Sequence, residues 1–185
     1  MIFVVLLVGF GVVRLRLPFG SDDERYHDRT FTCINVVDGD TIDIGVPDGD
    51  SSRTRIRLWG VDTPETAKSP SGLMFFGDEA SAFTRSQVQG KPVRVRLAPN
   101  RTRGKYGRLL AYVYLDDAET MLNEAIITTG HGYADARFDH PWKQRFGDLE
   151  RSARKAKVGL WQGVTSDRMP TWRQRYEARR APKAR

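Results

Sequence analysis

The chain has 185 residues but one cysteine, Cys33, so no disulfide can form within it. A lone cysteine does not fix the compartment, and its place in an apolar strand pattern suits a small core residue. The three histidines, His27, His131 and His140, are scattered. Without a His/Cys cluster at zinc spacing, a zinc site is not supported. Internal repeats are missing. So are strands alternating with single long helices, which argues against a doubly wound sheet.

The sequence also lacks a long apolar run. Residues 2–13 are apolar, twelve in a row, short of the ~20 needed to span a bilayer and closer to a signal h-region. No Lys or Arg precedes the run, and no alanine occurs before Thr30, so a small-x-small cleavage site is poorly supported. An uncleaved signal-anchor, a signal peptide and a buried helix all remain open. The expectation is export or membrane anchoring, with membrane contact through residues 2–13. Residues 1–19 then form the apolar segment and the polar stretch 20–30 a linker.

Hydrophobic residues make up 39% of the chain and charged residues 29%, as in a soluble globular protein of one domain. The net charge of +7 is uneven: residues 164–185 hold seven of the arginines and lysines but two of the acids. That stretch is expected to be a disordered basic tail, solvated or lending non-specific affinity for polyanions.

From residue 31 the chain reads as short strands. Residues 31–37 favour β structure and end at the turn dipeptide Asp38-Gly39. Ile42, Ile44 and Val46 alternate with polar neighbours. In a third strand Ile56 and Leu58 face one way and Arg53, Arg55 and Arg57 the other. Val93, Val95 and Leu97 mark a fourth strand, and residues 109–115 a fifth. Three helical stripes intervene or follow: Phe76, Ala80, Phe83 and Val88; Leu122, Ala125, Ile126 and Thr129, with Gly130 as a stop; and Trp142, Phe146, Leu149, Ala153 and Ala156. The pattern predicts an α+β, mainly β fold: a five-stranded OB-type Greek-key barrel with three α-helices, over residues 31–163.

Asp38-Gly39-Asp40-Thr41 would by itself be a turn. The second Asp-Gly-Asp, at 48–50, follows Pro47, runs into Ser51-Ser52 and is assigned as a plain turn. In the first, a strand begins at Thr41 and holds Asp40 on a rigid element. Asp62-Thr63-Pro64-Glu65 ends the third strand and alone would suit a helix start. In a barrel, however, the start of strand two and the end of strand three share a rim, so Asp40 and Asp62 can converge. Two carboxylates, a backbone carbonyl and waters suit Ca²⁺ better than Zn²⁺. Arg57 and Arg108 flank this cluster with guanidinium forks that match phosphate oxygens.

The segments VVDGDT, RIRLWGVDTPE, FGDEASAF, KYGRLLAYVY, MLNEAI and GLW resemble the staphylococcal nuclease family over roughly residues 31–161. The resemblance implies an OB barrel and Ca²⁺-dependent hydrolysis of DNA and RNA. It implies that Asp40, Asp62 and the Thr63 carbonyl ligate Ca²⁺ and that Glu65 positions or deprotonates the attacking water. Arg57 and Arg108 would bind the scissile phosphate, Lys105 and Tyr106 a terminal phosphate, and Asp38 would support the metal site. The expected substrates are DNA and RNA, preferably single-stranded, and the enzyme a monomer. Two departures, Gly104 in place of an acid and Ala136 in place of a substrate-contacting tyrosine with Tyr133 and Phe138 nearby, bear on substrate affinity and base stacking. The rival reading is a non-catalytic OB module that binds nucleic acid or protein.

Overall fold

The computed structural model describes residues 3–8, 11–16, 20–116 and 119–180, the first two stretches by backbone alone. Strands β1 (Phe3–Val8) and β2 (Gly11–Arg16) form an antiparallel pair. This overturns the expected export or anchoring through residues 2–13, because no helix among the described residues is long and apolar enough to cross a membrane. Five residues of that run are valine, whose branched Cβ favours a pleated strand over a helix.

The expected linker contains helix α1 (Asp22–Tyr26), closed by a capping box: Ser21 Oγ accepts the Glu24 N–H at 3.3 Å and Glu24 Oε2 accepts the Ser21 N–H at 2.8 Å. Five residues are too few to show helical periodicity, so the cap was the available signal. Tyr26 is fully buried and packs near Phe31.

The core is a closed five-stranded barrel of OB type. Its strands are β3 (Arg29–Val36), β4 (Thr41–Ile44), β5 (Thr54–Leu58), β7 (Pro92–Leu97) and β8 (Leu109–Tyr114). The two-residue strand β6 (Val61–Asp62) lies between β5 and β7 in the chain. Around the barrel the order is β3-β4-β5-β8-β7 and back to β3, antiparallel except where β5 runs parallel to β8. Period-two alternation explains which side chains enter: Ile56, Leu58, Val93, Val95 and Leu97 are buried, while Arg94 and Arg96 stack on Tyr114 outside.

The three expected helices are present as α2 (Gly77–Val88), α3 (Leu122–Thr128) and α4 (Lys143–Ala156). Strand β9 (Tyr133–Ala134), between α3 and α4, pairs with β6. Asn123 of α3 is fully buried and ties helix to barrel, accepting from the Val113 N–H and donating to the Trp59 and Ala111 carbonyls. Gly130 ends α3 at φ 71°, where a Cβ would run into the Val158 carbonyl.

Beyond residue 163 the expected disordered tail forms a short 3₁₀ turn (Ser166–Arg168) and helix α5 (Thr171–Arg180). Its charge is partly internal. Arg173 is 3% exposed and paired with the buried Glu150 of α4 and with Glu177. Composition alone cannot separate arginines spent on such pairs from solvated ones.

Buried Asp43 on β4 accepts from Arg55 at 2.7 and 3.1 Å and from Asn35 at 3.1 Å, with Arg53 at 3.0 Å. Burial would raise its pKa, but the Arg55 and Asn35 hydrogen bonds outweigh burial and hold it below the usual carboxylate range. A depressed folded-state pKa stabilises the fold above the unfolded value of ~3.9 and ceases to do so as pH falls through the folded value. Asp43→Asn should therefore cost about 1 kcal/mol at pH 7, a modest figure because both arginines reach solvent. Circular-dichroism melts should show the deficit closing below roughly pH 4.

Candidate active site

The site is assembled where β4, β5 and β6 meet. The turn before β4 closes through the Val37 N–H on the Thr41 carbonyl at 2.9 Å, and Asp38 Oδ1 accepts the Asp40 N–H at 3.0 Å. From α2, the Thr84 hydroxyl donates to the Gly39 carbonyl at 2.6 Å and fixes the turn from behind. Asp40 is thereby held nearly buried, its own carbonyl accepting the Leu58 N–H of β5. Asp40 Oδ2 accepts the Thr63 N–H at 2.8 Å and the Thr63 hydroxyl at 3.2 Å.

Arg57 lies opposite Thr41 in the β4–β5 ladder and spans the two carboxylates. Its Nη1 is 2.8 Å from Asp40 Oδ2 and its Nη2 2.8 Å from Asp62 Oδ1. Nη1 also donates to the Leu58 and Val61 carbonyls. Burial works against its charge, but Asp40 and Asp62 outweigh that and hold its pKa above the usual guanidinium value.

Asp62 belongs to β6, and its pairing with Tyr133 on β9 brings in Asp135 and Arg137, which sequence reasoning missed. Arg137 Nη2 donates to Asp62 Oδ1 at 2.8 Å, and Arg137 also forks onto Asp135 at 2.7 and 2.8 Å. Trp172 of α5, from the stretch read as a tail, donates its Nε1–H to Asp62 Oδ2 at 2.7 Å. The Asp-x-Arg spacing of Asp135 and Arg137 was a visible signal, but their partner Asp62 is remote in sequence. Trp172 carried no signal beyond being an aromatic residue in a basic stretch.

Glu65 is half-buried in the wall of the same cavity, and its backbone carbonyl accepts the Met74 N–H at 2.9 Å. In the same cavity, Arg108 and Lys105 each lie 5.7 Å from the ring of Tyr106, which is 75% exposed. Their loop is anchored by Arg103, which pairs with Asp22 of α1 and with Asp48 at 2.7 Å, and donates to the Gly107 carbonyl at 3.0 Å. The second Asp-Gly-Asp does form a turn, with Asp48 and Ser51 bonded reciprocally, and Asp48 also holds this loop. Phe138 stacks on Trp59 at 4.9 Å and extends the wall.

All nine residues picked out by sequence, Asp38, Asp40, Arg57, Asp62, Thr63, Glu65, Lys105, Tyr106 and Arg108, line one cavity of about 540 Å³. Burial raises the Asp40 pKa well above the usual carboxylate range; Arg57 opposes the shift, and Asp38 and Asp62 reinforce it. Among the described residues no three His, Cys, Asp or Glu side chains gather as a metal-holding group. The side-chain atoms that converge on Arg57 from Asp40 and Asp62 are carboxylate oxygens. Carboxylate oxygens are ligands for a hard cation rather than a soft one.

Residues 55–163 match the family described as staphylococcal nuclease homologue. The thermonuclease of Staphylococcus hyicus is 35% identical over 138 residues, 73% of this chain and 77% of that protein. The thermonuclease of Staphylococcus intermedius is 35% identical over 149 residues, 78% of this chain and 83% of that one. Endonuclease YncB of Bacillus subtilis is 32% identical over 133 residues, 70% of this chain and 60% of its own.

Glu65 is placed by a close approach: a Cβ at Gly77 would collide with the Glu65 carbonyl. Gly77→Ala must displace that backbone. Displacements near 1 Å cost on the order of 10²-fold in rate. The expected outcome is a rate loss of that size in a cleavage assay, with the far-ultraviolet circular-dichroism spectrum retained.

Proposed function

The chain belongs to the staphylococcal nuclease family and is a nuclease, and we propose that it is a Ca²⁺-dependent enzyme that hydrolyses phosphodiester bonds in both DNA and RNA. The observation that carries this reading is the Arg57 guanidinium bridging Asp40 and Asp62 at 2.8 Å each, within one cavity that also holds Glu65 and Arg108.

Asp40 and Asp62 would hold the cation, with the Thr63 carbonyl as a third ligand and Asp38 as a supporting charge. Bound there, Ca²⁺ supplies positive charge against the negative charge that grows on the phosphoryl oxygens. Arg57 and Arg108 donate hydrogen bonds to those oxygens, strengthening as charge accumulates. Glu65 takes a proton from water as the new O–P bond forms and the bond to the leaving oxygen breaks. Lys105 and Tyr106 hold a further phosphate at the cavity mouth. The ring of Tyr106, 75% exposed, can meet an unpaired base, which supports single strands as the preferred form.

The full chain incubated with single-stranded DNA and RNA should cut both in Ca²⁺ and neither in EGTA. Cleavage in EGTA, or none in Ca²⁺, would overturn the reading. Arg57→Ala and Arg108→Ala should each lower kcat on the order of 10²-fold or more. Glu65→Gln should lose on the order of 10²–10⁴-fold while melting near the wild-type temperature; full activity in any of the three removes that residue's role.

A further inference from the structure

Helix α5 reaches the site from outside the residues matched to the family, which end at 163. It is fastened independently of any ligand. Arg173 pairs with Glu150 of α4, and Glu150 Oε2 accepts the Ala134 N–H of β9 at 2.8 Å. Trp172 packs edge-on against Tyr133 at 6.4 Å, and the Arg137 guanidinium lies over its indole at 4.4 Å. From that seat its N–H meets Asp62 Oδ2 at 2.7 Å.

The terminal torsion of an aspartate is broad, so hydrogen bonds decide how its carboxylate is turned. At Asp62 both arginine contacts, from Arg57 and Arg137, fall on Oδ1. They leave Oδ2 to Trp172. The indole is a neutral, donor-only group. It steadies this oxygen without bringing a third cation into competition with a metal. Three donors also leave one lone-pair direction of the carboxylate unspent.

We infer that Trp172 is a positioning residue, which through its indole N–H sets the orientation in which Asp62 receives the divalent cation. The inference rests on the proposed role of Asp62 as a cation ligand. Outer-shell partners of this kind typically change metal affinity by ~10–100-fold when removed. Helix α5 then supports the site through Asp62.

The test is thermal melting of the full chain against Ca²⁺ concentration, since a ligand of the folded state raises Tm with the logarithm of its concentration over Kd. Trp172→Phe keeps a ring on Tyr133 and beneath Arg137 but removes the N–H. It should melt near the wild-type temperature in EGTA and need ~10–100-fold more Ca²⁺ for the same rise in Tm. Tyr133→Phe, which alters the ring packed on α5 without touching a carboxylate, should keep the wild-type Ca²⁺ requirement. An unchanged or lowered requirement in Trp172→Phe, or an equal shift in Tyr133→Phe, overturns the inference. Wild-type melting that ignores Ca²⁺ overturns the cation reading and this inference with it.

Discussion

Arg57 carries a full charge on a barrel strand, with its side chain 14% exposed. Burying a guanidinium costs several kcal/mol unless charges and hydrogen bonds answer it. The surrounding structure supplies that answer with the carboxylates of Asp40 and Asp62 and the carbonyls of Leu58 and Val61. The backbone origin of the guanidinium is fixed by ladders on both sides, with Thr41 opposite on β4 and Leu110 on β8. Its targets come from a turn and a two-residue strand, elements that could not by themselves hold carboxylates to a fraction of an ångström. The barrel thus sets one end of each ion pair, and the ion pairs set the rim.

Support reaches the site from helices α1 to α4, each by a different route. Thr84 of α2 holds the Gly39 turn and Asn123 of α3 holds the Trp59 carbonyl. Asp22 of α1 holds Arg103, and through it the Gly107 carbonyl of the Lys105–Arg108 loop. Glu150 of α4 holds Ala134, next to the pairing of β6 with β9. Few of these contacts are apolar. Directional hydrogen bonds and charge pairs do the aligning, while the apolar core supplies the bulk of the stability.

Much of this was legible beforehand because the informative residues sit on regular elements. Alternation at Ile56, Arg57 and Leu58 marked β5 and its faces, and the stripe from Phe76 to Val88 marked α2. Asp40 and Asp62 could be brought together because strand order alone puts their ends at one rim. What escaped had physical causes. Helix α1 is too short to show a period. In α5 the anchor is Arg173, whose burial depends on a glutamate from another helix. Arg137 looks like a surface arginine until β9 is paired with β6. The valine-rich N-terminal run was read for hydrophobicity, when its branching was the better guide to backbone shape. The roles of Arg173 and Arg137 depend on contacts remote in sequence, which local pattern does not contain.

The parallel seam between β5 and β8 has a kinetic meaning. It joins Ile56 to Leu109, residues far apart along the chain, and no hairpin can nucleate such a pairing. Chain closure of that kind is slow because its entropy is lost before contacts compensate. Arg108 stands at the threshold of β8, so it reaches Asp40, Arg57 and Asp62 only once that seam has formed. A partly folded chain therefore holds the acidic half of its chemistry without the second arginine. Recovery of cutting during refolding would time the closing of the barrel, and helix formation would run ahead of it unseen by that clock.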